Sequence, residues 1–285
     1  MSVETSSVRQ LHPAEFIATI GTMSKLQGKC AVILGAGNRG NMAQVMARRF
    51  RDEGAQVMVA GRKLDELQRF AAEIGAHAAS CDITRLADIE ALAKTAQDKM
   101  GSISIAVNAT GWGLLKPFLE TTTEELQRMT ALQYIGPFQF FQAMIKAMPK
   151  GGSLIQISSA TAKIMLNDHA AYMGTKAGTD HVIRCIAHEF GRFGIRANSI
   201  SPGLTDTPMT AGGKAIPGLF DSFLKGYPLG RIGTSEDIAA AAVWLASDEC
   251  FMTGENLQVN GGLTLRMNPT KQDMAAAIAK AAGKS

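Results

Sequence analysis

From Lys29 onward, short apolar runs alternate with longer stretches in which apolar residues recur every three to four positions. The runs 30–34, 56–60, 77–81, 103–108, 153–158, 195–200 and 256–259 have the length and β-branched content of strands. Helical periodicity occupies 42–53, 64–74, 86–100, 124–148 and 170–193, between most of those runs. Parallel strands need a crossover of about a dozen residues or more, and a helix is the usual one. The pattern therefore predicts an α/β fold: a doubly wound, mostly seven-stranded parallel sheet covered on both faces, in a single domain. Ligands of such sheets lie beyond the carboxyl ends of the strands. Here that edge falls at Gly35, Asn108, Ser159 and Pro202.

The periodic region spans 28–265. Residues 1–27 lack strand alternation and read as an N-terminal extension with a short helix over 13–20, and 266–285 read as a C-terminal tail, weakly helical over 273–280. One long interval, 204–230, is rich in Gly, Pro and Thr yet carries apolar Leu219, Phe220, Phe223 and Leu224. It reads as a flap over a site.

Composition narrows the function. With 285 residues, 46% hydrophobic and 19% charged, the chain can bury a large core. A net charge of +4 without a basic run gives no nucleic-acid footprint. No apolar stretch reaches the ~18–20 residues of a membrane span, and the start lacks the basic and apolar regions of a secretory signal, so a cytoplasmic protein is expected. Cys30, Cys81, Cys185 and Cys250 are far apart, as reduced thiols would be, and no Cys/His cluster implies a metal.

The first strand runs into Gly35-Ala-Gly37-Asn-Arg39-Gly40-Asn41-Met42, and a helix follows. Glycines there let the backbone approach a pyrophosphate, which the helix N-terminus attracts. This is the phosphate-binding turn of a Rossmann fold. The second strand ends in Gly61-Arg62-Lys63, where an NAD-preferring fold carries an acid for the ribose 2′-hydroxyl. A guanidinium at Arg62, with Arg39 in reach, suits a 2′-phosphate instead. The expected cofactor is NADP(H).

Further on, Tyr172 and Lys176 are spaced i, i+4 on a predicted helix, so they share a face. A nearby ammonium is expected to lower the phenol's pKa toward the working range. Ser159, thirteen residues before Tyr172, ends an apolar run that would deliver its hydroxyl beside the phenol. Such a trio can polarise a carbonyl and move a proton while another group moves a hydride.

These pieces, in order, resemble the short-chain dehydrogenase/reductase family over about residues 28–265. The resemblance extends to Cys81-Asp82-Ile83-Thr84, Val107-Asn-Ala-Thr-Gly111, Arg196-Ala-Asn-Ser-Ile-Ser-Pro-Gly203, the segment from Gly230 to Ile238 and that from Thr253 to Gly262. It implies that Asp82 and Ile83 contact adenine, that Asn108 and Gly111 line the ribose side, and that Pro202, Gly203 and Thr207 hold the nicotinamide carboxamide. It further implies that Lys176 grips the nicotinamide ribose, that Tyr172 is the acid/base, and that Ser159 bonds the reacting oxygen.

Two places depart from the main branch. Arg39 and Asn41 stand where its loop has glycines, and the loop looks more like the enoyl reductase branch; Asn41 can cap the helix or give its amide to phosphate. Gln133 stands where the family has an Asn that holds a water linking the lysine to solvent, and it is counted among the catalytic candidates. Trp112, His169 and Met209 are the candidate substrate contacts. The expected reaction interconverts a mainly apolar secondary alcohol and its ketone. Reduction of activated C=C bonds is an alternative, although enoyl reductases space their tyrosine and lysine seven apart. A catalytically weak NADP(H)-binding sensor is another. The resemblance also implies a homotetramer, with a dimer as the alternative, built on helices 124–148 and 170–193 and on the region 244–262. The tail from Arg266 is expected to cross an interface.

Overall fold

The structure, a computed structural model, describes residues 24–283, so the expected helix over 13–20 lies outside the described residues. Seven parallel strands form the sheet: β1 (Cys30–Leu34), β2 (Gln56–Gly61), β3 (His77–Ser80), β4 (Ile105–Asn108), β5 (Gly152–Ile157), β6 (Ile195–Pro202) and, last in the chain, β9 (Asn256–Val259). Their order is β3-β2-β1-β4-β5-β6-β9, so the winding reverses between β1 and β4. A two-stranded ribbon, β7 (Thr205–Asp206) with β8 (Gly233–Thr234), closes the base of the flap.

Alternation within the strands divides the core. Ala31 and Ile33 of β1 face a cluster built with α1 (Met42–Asp52), α2 (Leu64–Ile74) and α9 (Ser235–Ala246). Val32 and Leu34 face a second cluster with α3 (Leu86–Met100), α5 (Gly136–Lys146) and α6 (Ala170–Phe190). Phe140 and Phe141 of α5 are fully buried there, their rings edge-on at 5.3 Å. Burying each such side chain contributes about 1.5–3 kcal/mol.

Helix starts follow side-chain chemistry. The Asn41 side chain accepts from the Gln44 amide at α1. Capping boxes open α4 (Thr123–Thr130), α9 and α10 (Lys271–Ala281), through Thr122/Glu125, Thr234/Asp237 and Thr270/Asp273. The flap holds two short helices, α7 (Ala211–Lys214) and α8 (Leu219–Leu224).

One expectation is corrected. The helix expected over 124–148 is broken: α4 and α5 are joined by a π-helical turn, Ala131–Ile135, which carries Gln133. Such a turn adds one residue and shows no break in apolar periodicity, and it occurs mostly at functional sites. The tail, expected to be helical over 273–280, forms the helix α10 and packs on α8 of the same chain.

Candidate active site

At the carboxyl edge of the sheet, β5 ends at Ile157 and hands the chain to Ser158 and Ser159. α6 crosses behind, and its i, i+4 face presents Tyr172, Lys176 and Asp180. The Lys176 ammonium is buried, donates to the Ile157 carbonyl at 2.8 Å and lies 5.5 Å from the centre of the Tyr172 ring. The Ser159 hydroxyl is near enough to the phenol to favour its ionised form. It also exchanges a 2.8 Å hydrogen bond with Thr161 Oγ1. Ser159, Tyr172 and Lys176 are thus brought together.

Their electrostatics differ from the expectation. Burial pushes the Tyr172 phenol up to about 12, with Ser159 opposing and the Asp180 carboxylate adding to the rise. Burial likewise pulls Lys176 down to about 8, against the pull of Asp180. Desolvation outweighs pairing because both groups sit on a helix face pressed to the sheet. Asp180, which the sequence reading missed, is raised by burial too, and the Ser199 and Ser158 hydroxyls, Lys176 and Asn256 resist that rise. Its Oδ2 accepts from Ser158 Oγ at 2.8 Å and Asn256 Nδ2 at 2.5 Å. Its Oδ1 and the Ser199 hydroxyl have no hydrogen-bonded partner among the described residues. The signal for it was the same spacing that links Tyr172 to Lys176.

Gln133 is buried and fastened at both ends of its side chain. Oε1 accepts from the Trp112 amide at 3.0 Å, and Nε2 donates to Thr175 Oγ1 at 3.0 Å. Its own carbonyl accepts from Thr179 Oγ1 at 2.6 Å. Gly111 lies between the two: a methyl group there would stand 3.2 Å from Gln133 Oε1 and 3.9 Å from Lys176 Nζ. The side chain ties the loop after β4 to α6.

The substrate candidates flank this centre. His169 stacks on the Tyr172 ring at 4.2 Å, and its Nδ1 is 2.7 Å from the Leu114 carbonyl. A carbonyl only accepts, so Nδ1 carries the proton and Nε2 of the neutral ring is an acceptor. Burial holds the imidazole pKa below its usual value, while the Leu114 bond opposes this. The Arg128 guanidinium sits over the Trp112 ring at 4.2 Å. Met209, exposed on the flap, brings its sulfur over Gly113.

Across the sheet's switch point lies the glycine loop. Gly35 (φ 112°) leaves no space for a side chain, since a Cβ would stand 2.8 Å from the Ala109 carbonyl group. Asn41, besides capping α1, donates Nδ2 to the Gly35 carbonyl at 2.7 Å. Its amide is therefore used within the loop. Gln44, also missed from the sequence, accepts the Gly40 amide at 2.9 Å and donates to the Ala36 carbonyl at 3.0 Å. Gly37 packs beside Arg62 and Lys63, and Met42 begins α1 half-buried. Arg39 and Arg62 are exposed, and among the described residues neither has a hydrogen-bonded protein partner.

The Asn108 side chain is fully buried, donating to Gln156 Oε1 at 2.9 Å and accepting from Thr110, so it has turned into the sheet. Ile83 is buried in the second core cluster, against Gly136. Asp82 Oδ1 accepts from Thr84 N and Oγ1 at 2.9 and 2.7 Å. Burial pushes that carboxyl up, but the Thr84 bonds hold it below its usual value. Pro202 ends β6, Gly203 sits under the Tyr227 hydroxyl, and Thr207 opens the flap with its amide bonded to Thr210 Oγ1 at 3.1 Å. Among the described residues no His/Cys/Asp/Glu group could hold a metal, and no helix is long and apolar enough to cross a membrane.

A doubly wound sheet with a glycine turn at its switch point and a Ser/Tyr/Lys centre at its carboxyl edge defines a dinucleotide-dependent class of oxidoreductase. A family model described as enoyl-(acyl carrier protein) reductase matches residues 35–264. The chain is similar to galactitol 2-dehydrogenase (L-tagatose-forming) of Cereibacter sphaeroides, 32% identical over 251 residues, 86% of this chain and 98% of that protein. It is 33% identical to 7alpha-hydroxysteroid dehydrogenase of Escherichia coli strain K12 over 256 residues, 86% of this chain and 97% of that one. Among solved structures, a short-chain type dehydrogenase/reductase from Mycobacterium ulcerans superposes with a TM-score of 0.84 at 26% identity, covering 89% of this chain and 98% of that one. The chain belongs to the short-chain dehydrogenase/reductase family. Its relatives are oxidoreductases of secondary alcohols, and the family uses nicotinamide dinucleotides, NAD or NADP.

Proposed function

We propose that the protein is an NADP(H)-dependent alcohol dehydrogenase/carbonyl reductase that interconverts a mainly apolar secondary alcohol and its ketone. The observation that carries this reading is the convergence of Ser159, Tyr172 and Lys176 on one point of the sheet edge. A phenol raised to about 12 is protonated at neutral pH and ready to donate. In reduction Tyr172 gives its proton to the carbonyl oxygen, and the Ser159 hydroxyl donates a hydrogen bond to the same oxygen. The Lys176 ammonium, held by the Ile157 carbonyl, offsets charge appearing on the phenol oxygen. Oxidation runs these transfers backward. Gln133 is a positioning residue that fixes Gly111 and Trp112 against α6.

The residues fit a dinucleotide. The N-terminus of α1 behind the Gly35–Gly37 turn attracts a pyrophosphate, and the exposed guanidiniums of Arg39 and Arg62, without a hydrogen-bonded protein partner among the described residues, suit a 2′-phosphate. Met42 and the amide end of α1 flank the pyrophosphate, Asp82 with Ile83 the adenine, Gly111 and Lys176 the nicotinamide ribose, and Pro202, Gly203 and Thr207 the carboxamide. Bound there, NADP(H) supplies or accepts the hydride. Trp112, His169 and Met209 are the proposed substrate contacts.

The matched family's enoyl reductase description favours a second reading, reduction of an activated C=C bond. Against it stands the four-residue spacing of Tyr172 and Lys176. The relatives named above act on a sugar alcohol and a steroid, which share only a secondary alcohol. Exposed apolar Leu126, Ile135 and Phe138 on α4–α5, with Trp244 and Phe251 elsewhere, support a homotetramer; Phe140 and Phe141 are core and take no part. The test is a panel of ketones, alcohols and enones with NADPH/NADP⁺ and NADH/NAD⁺ in parallel. Turnover of ketones and alcohols with the phosphorylated cofactor is expected. Turnover of enones alone would replace this reading by the second. Tight cofactor binding without any turnover would leave a sensor.

A further inference from the structure

The tail bridges two walls that also share a small apolar cluster, Ile164 and Leu166 of one packing with Leu219 and Phe223 of the other. One wall is the loop after Ser159, residues 164–168; the other is the flap helix α8. On the loop side Asn268, itself buried, donates to the Met165 carbonyl at 3.0 Å, and Lys271 pairs with Asp168 at 2.6 Å. On the flap side Arg266 donates to the Lys225 carbonyl at 2.7 Å. There Met274 also packs with Leu219 and Phe223 in a small apolar cluster that includes Ala160, the neighbour of Ser159.

The seat between α10 and α8 is specific. Gly218 starts α8 with φ 79°, and a Cβ on it would stand 2.5 Å from the Ala277 carbonyl oxygen and 3.0 Å from the Ala281 methyl. Met274, Ala277 and Ile278 repeat at i, i+3, i+4 and, with Ala279, are the partly buried residues of an otherwise exposed helix. The loop side is equally constrained. Asp168 is the non-glycine residue with positive φ (59°) among those described. Its carboxylate is held by Lys271 and its carbonyl accepts the Lys116 amide at 2.6 Å. A single residue beyond it is His169, stacked on Tyr172. A residue in that conformation persists where its surroundings over-determine it.

We propose that residues 266–281 form a clasp that fixes the reach of the substrate cleft. By holding α8 and the 164–168 loop at one separation, the segment makes the enzyme select compact secondary alcohols and ketones over those extending past the flap. The proposal rests on reading the cleft beside Tyr172 as the substrate site.

Two full-chain variants unseat α10 without touching Ser159, Tyr172 or Lys176. Gly218→Val puts a side chain into the Ala277 contact, and Met274→Lys puts a charge into the apolar cluster. With each, KM for a small cyclic ketone is expected to rise about tenfold, KM for NADPH to stay unchanged, and the preference for that ketone over a steroid-sized one to shrink. Hydrogen exchange, which needs no turnover, should quicken in 219–224 and 164–168 together with 271–281. Fast exchange confined to α10, unchanged size preference, or a helix that stays protected in both variants would each overturn the clasp. A parent protein that turns over no alcohol or ketone would instead overturn the catalytic reading, and the exchange result would still decide the clasp.

Discussion

Arg62→Ala tests the cofactor assignment most directly. The Arg62 guanidinium is exposed, and among the described residues it has no hydrogen-bonded protein partner, so removing it breaks nothing in the fold. Lys63, next to it, is already committed to Asn38 Oδ1 at 2.9 Å and is a poor substitute. A charge-assisted bond to phosphate is worth about 1.5–3 kcal/mol. Solvent and salt screen an exposed site, which places the loss near the lower end, about tenfold in kcat/KM for NADPH. NADH, lacking the phosphate, should lose nothing. Arg39→Ala should act in the same direction, and the double variant should lose less than the product of the two, because both cations meet one phosphate. The assay is steady-state kcat/KM for NADPH and NADH at low and at high salt. The parent's NADPH value should fall more steeply with salt than the variant's. An equal loss for both cofactors, or a parent that prefers NADH, would refute the reasoning. Gly61→Asp supplies the acid of an NAD-type site, but its Cβ would stand 3.1 Å from the Gly37 amide nitrogen. It should weaken NADPH without gaining NADH, and a gain would show that the loop yields.

Other expectations follow from the same geometry. Tyr172→Phe should abolish turnover while NADPH binding, followed by fluorescence, persists; substantial residual turnover would remove the phenol from the acid/base role. Carbonyl reduction should hold its rate at neutral pH and decline as pH rises past about 8, where Lys176 sheds its charge. Because the Asp180 carboxylate pulls the Lys176 pKa upward, Asp180→Asn should move that decline to lower pH, and an unmoved limb would assign it to another group. Gln133→Ala strips a partner from the Trp112 amide and from Thr175 at once. It should raise KM for substrate and lower kcat, with Gln133→Asn restoring less than half; wild-type kinetics in the alanine variant would reduce the side chain to packing.

The sheet was legible because its signal is periodic. The strand Cys30–Leu34 is apolar throughout, as burial on two faces demands, and it runs straight into Gly35. The π-turn at Ala131–Ile135 was not legible, since one added residue in a helix alters no local preference. Tyr172 and Lys176 could be paired from spacing alone, and Asp180 could have been added by the same rule. Gln44 and Asn108 could not be placed. Both are amides whose role depends on which backbone atoms a distant loop brings within about 3 Å. Asn108 is placed on the ribose side by resemblance, and the bond of its side chain from β4 to β5 carries no sequence signal. The tail shows the same limit: 273–280 reads as helix, but its seat depends on Gly218, more than fifty residues earlier.

The sign of the pKa shifts carries one further consequence. Tyr172, Lys176 and Asp180 lie on one helix face, and burial drives all three toward their neutral forms: the phenol up, the ammonium down, the carboxyl up. Only the carboxylate and the ammonium oppose each other's neutralisation. Asp180 supports charge on Lys176, Lys176 supports charge on Asp180, and Asp180 disfavours the phenolate. A proton leaving Tyr172 therefore changes the cost of charge at Asp180, and through Asp180 at Lys176, so the groups titrate as a unit with macroscopic pKa values. The Asp180 contacts with Ser158 and Asn256 then act on catalysis from behind the site. Asn256→Ala removes a donor from that carboxylate, which raises the Asp180 pKa and weakens its support of Lys176. The alkaline limb of ketone reduction should then move to lower pH, in the same direction as in Asp180→Asn but by less. A larger shift from Asn256→Ala than from Asp180→Asn would place the controlling charge elsewhere.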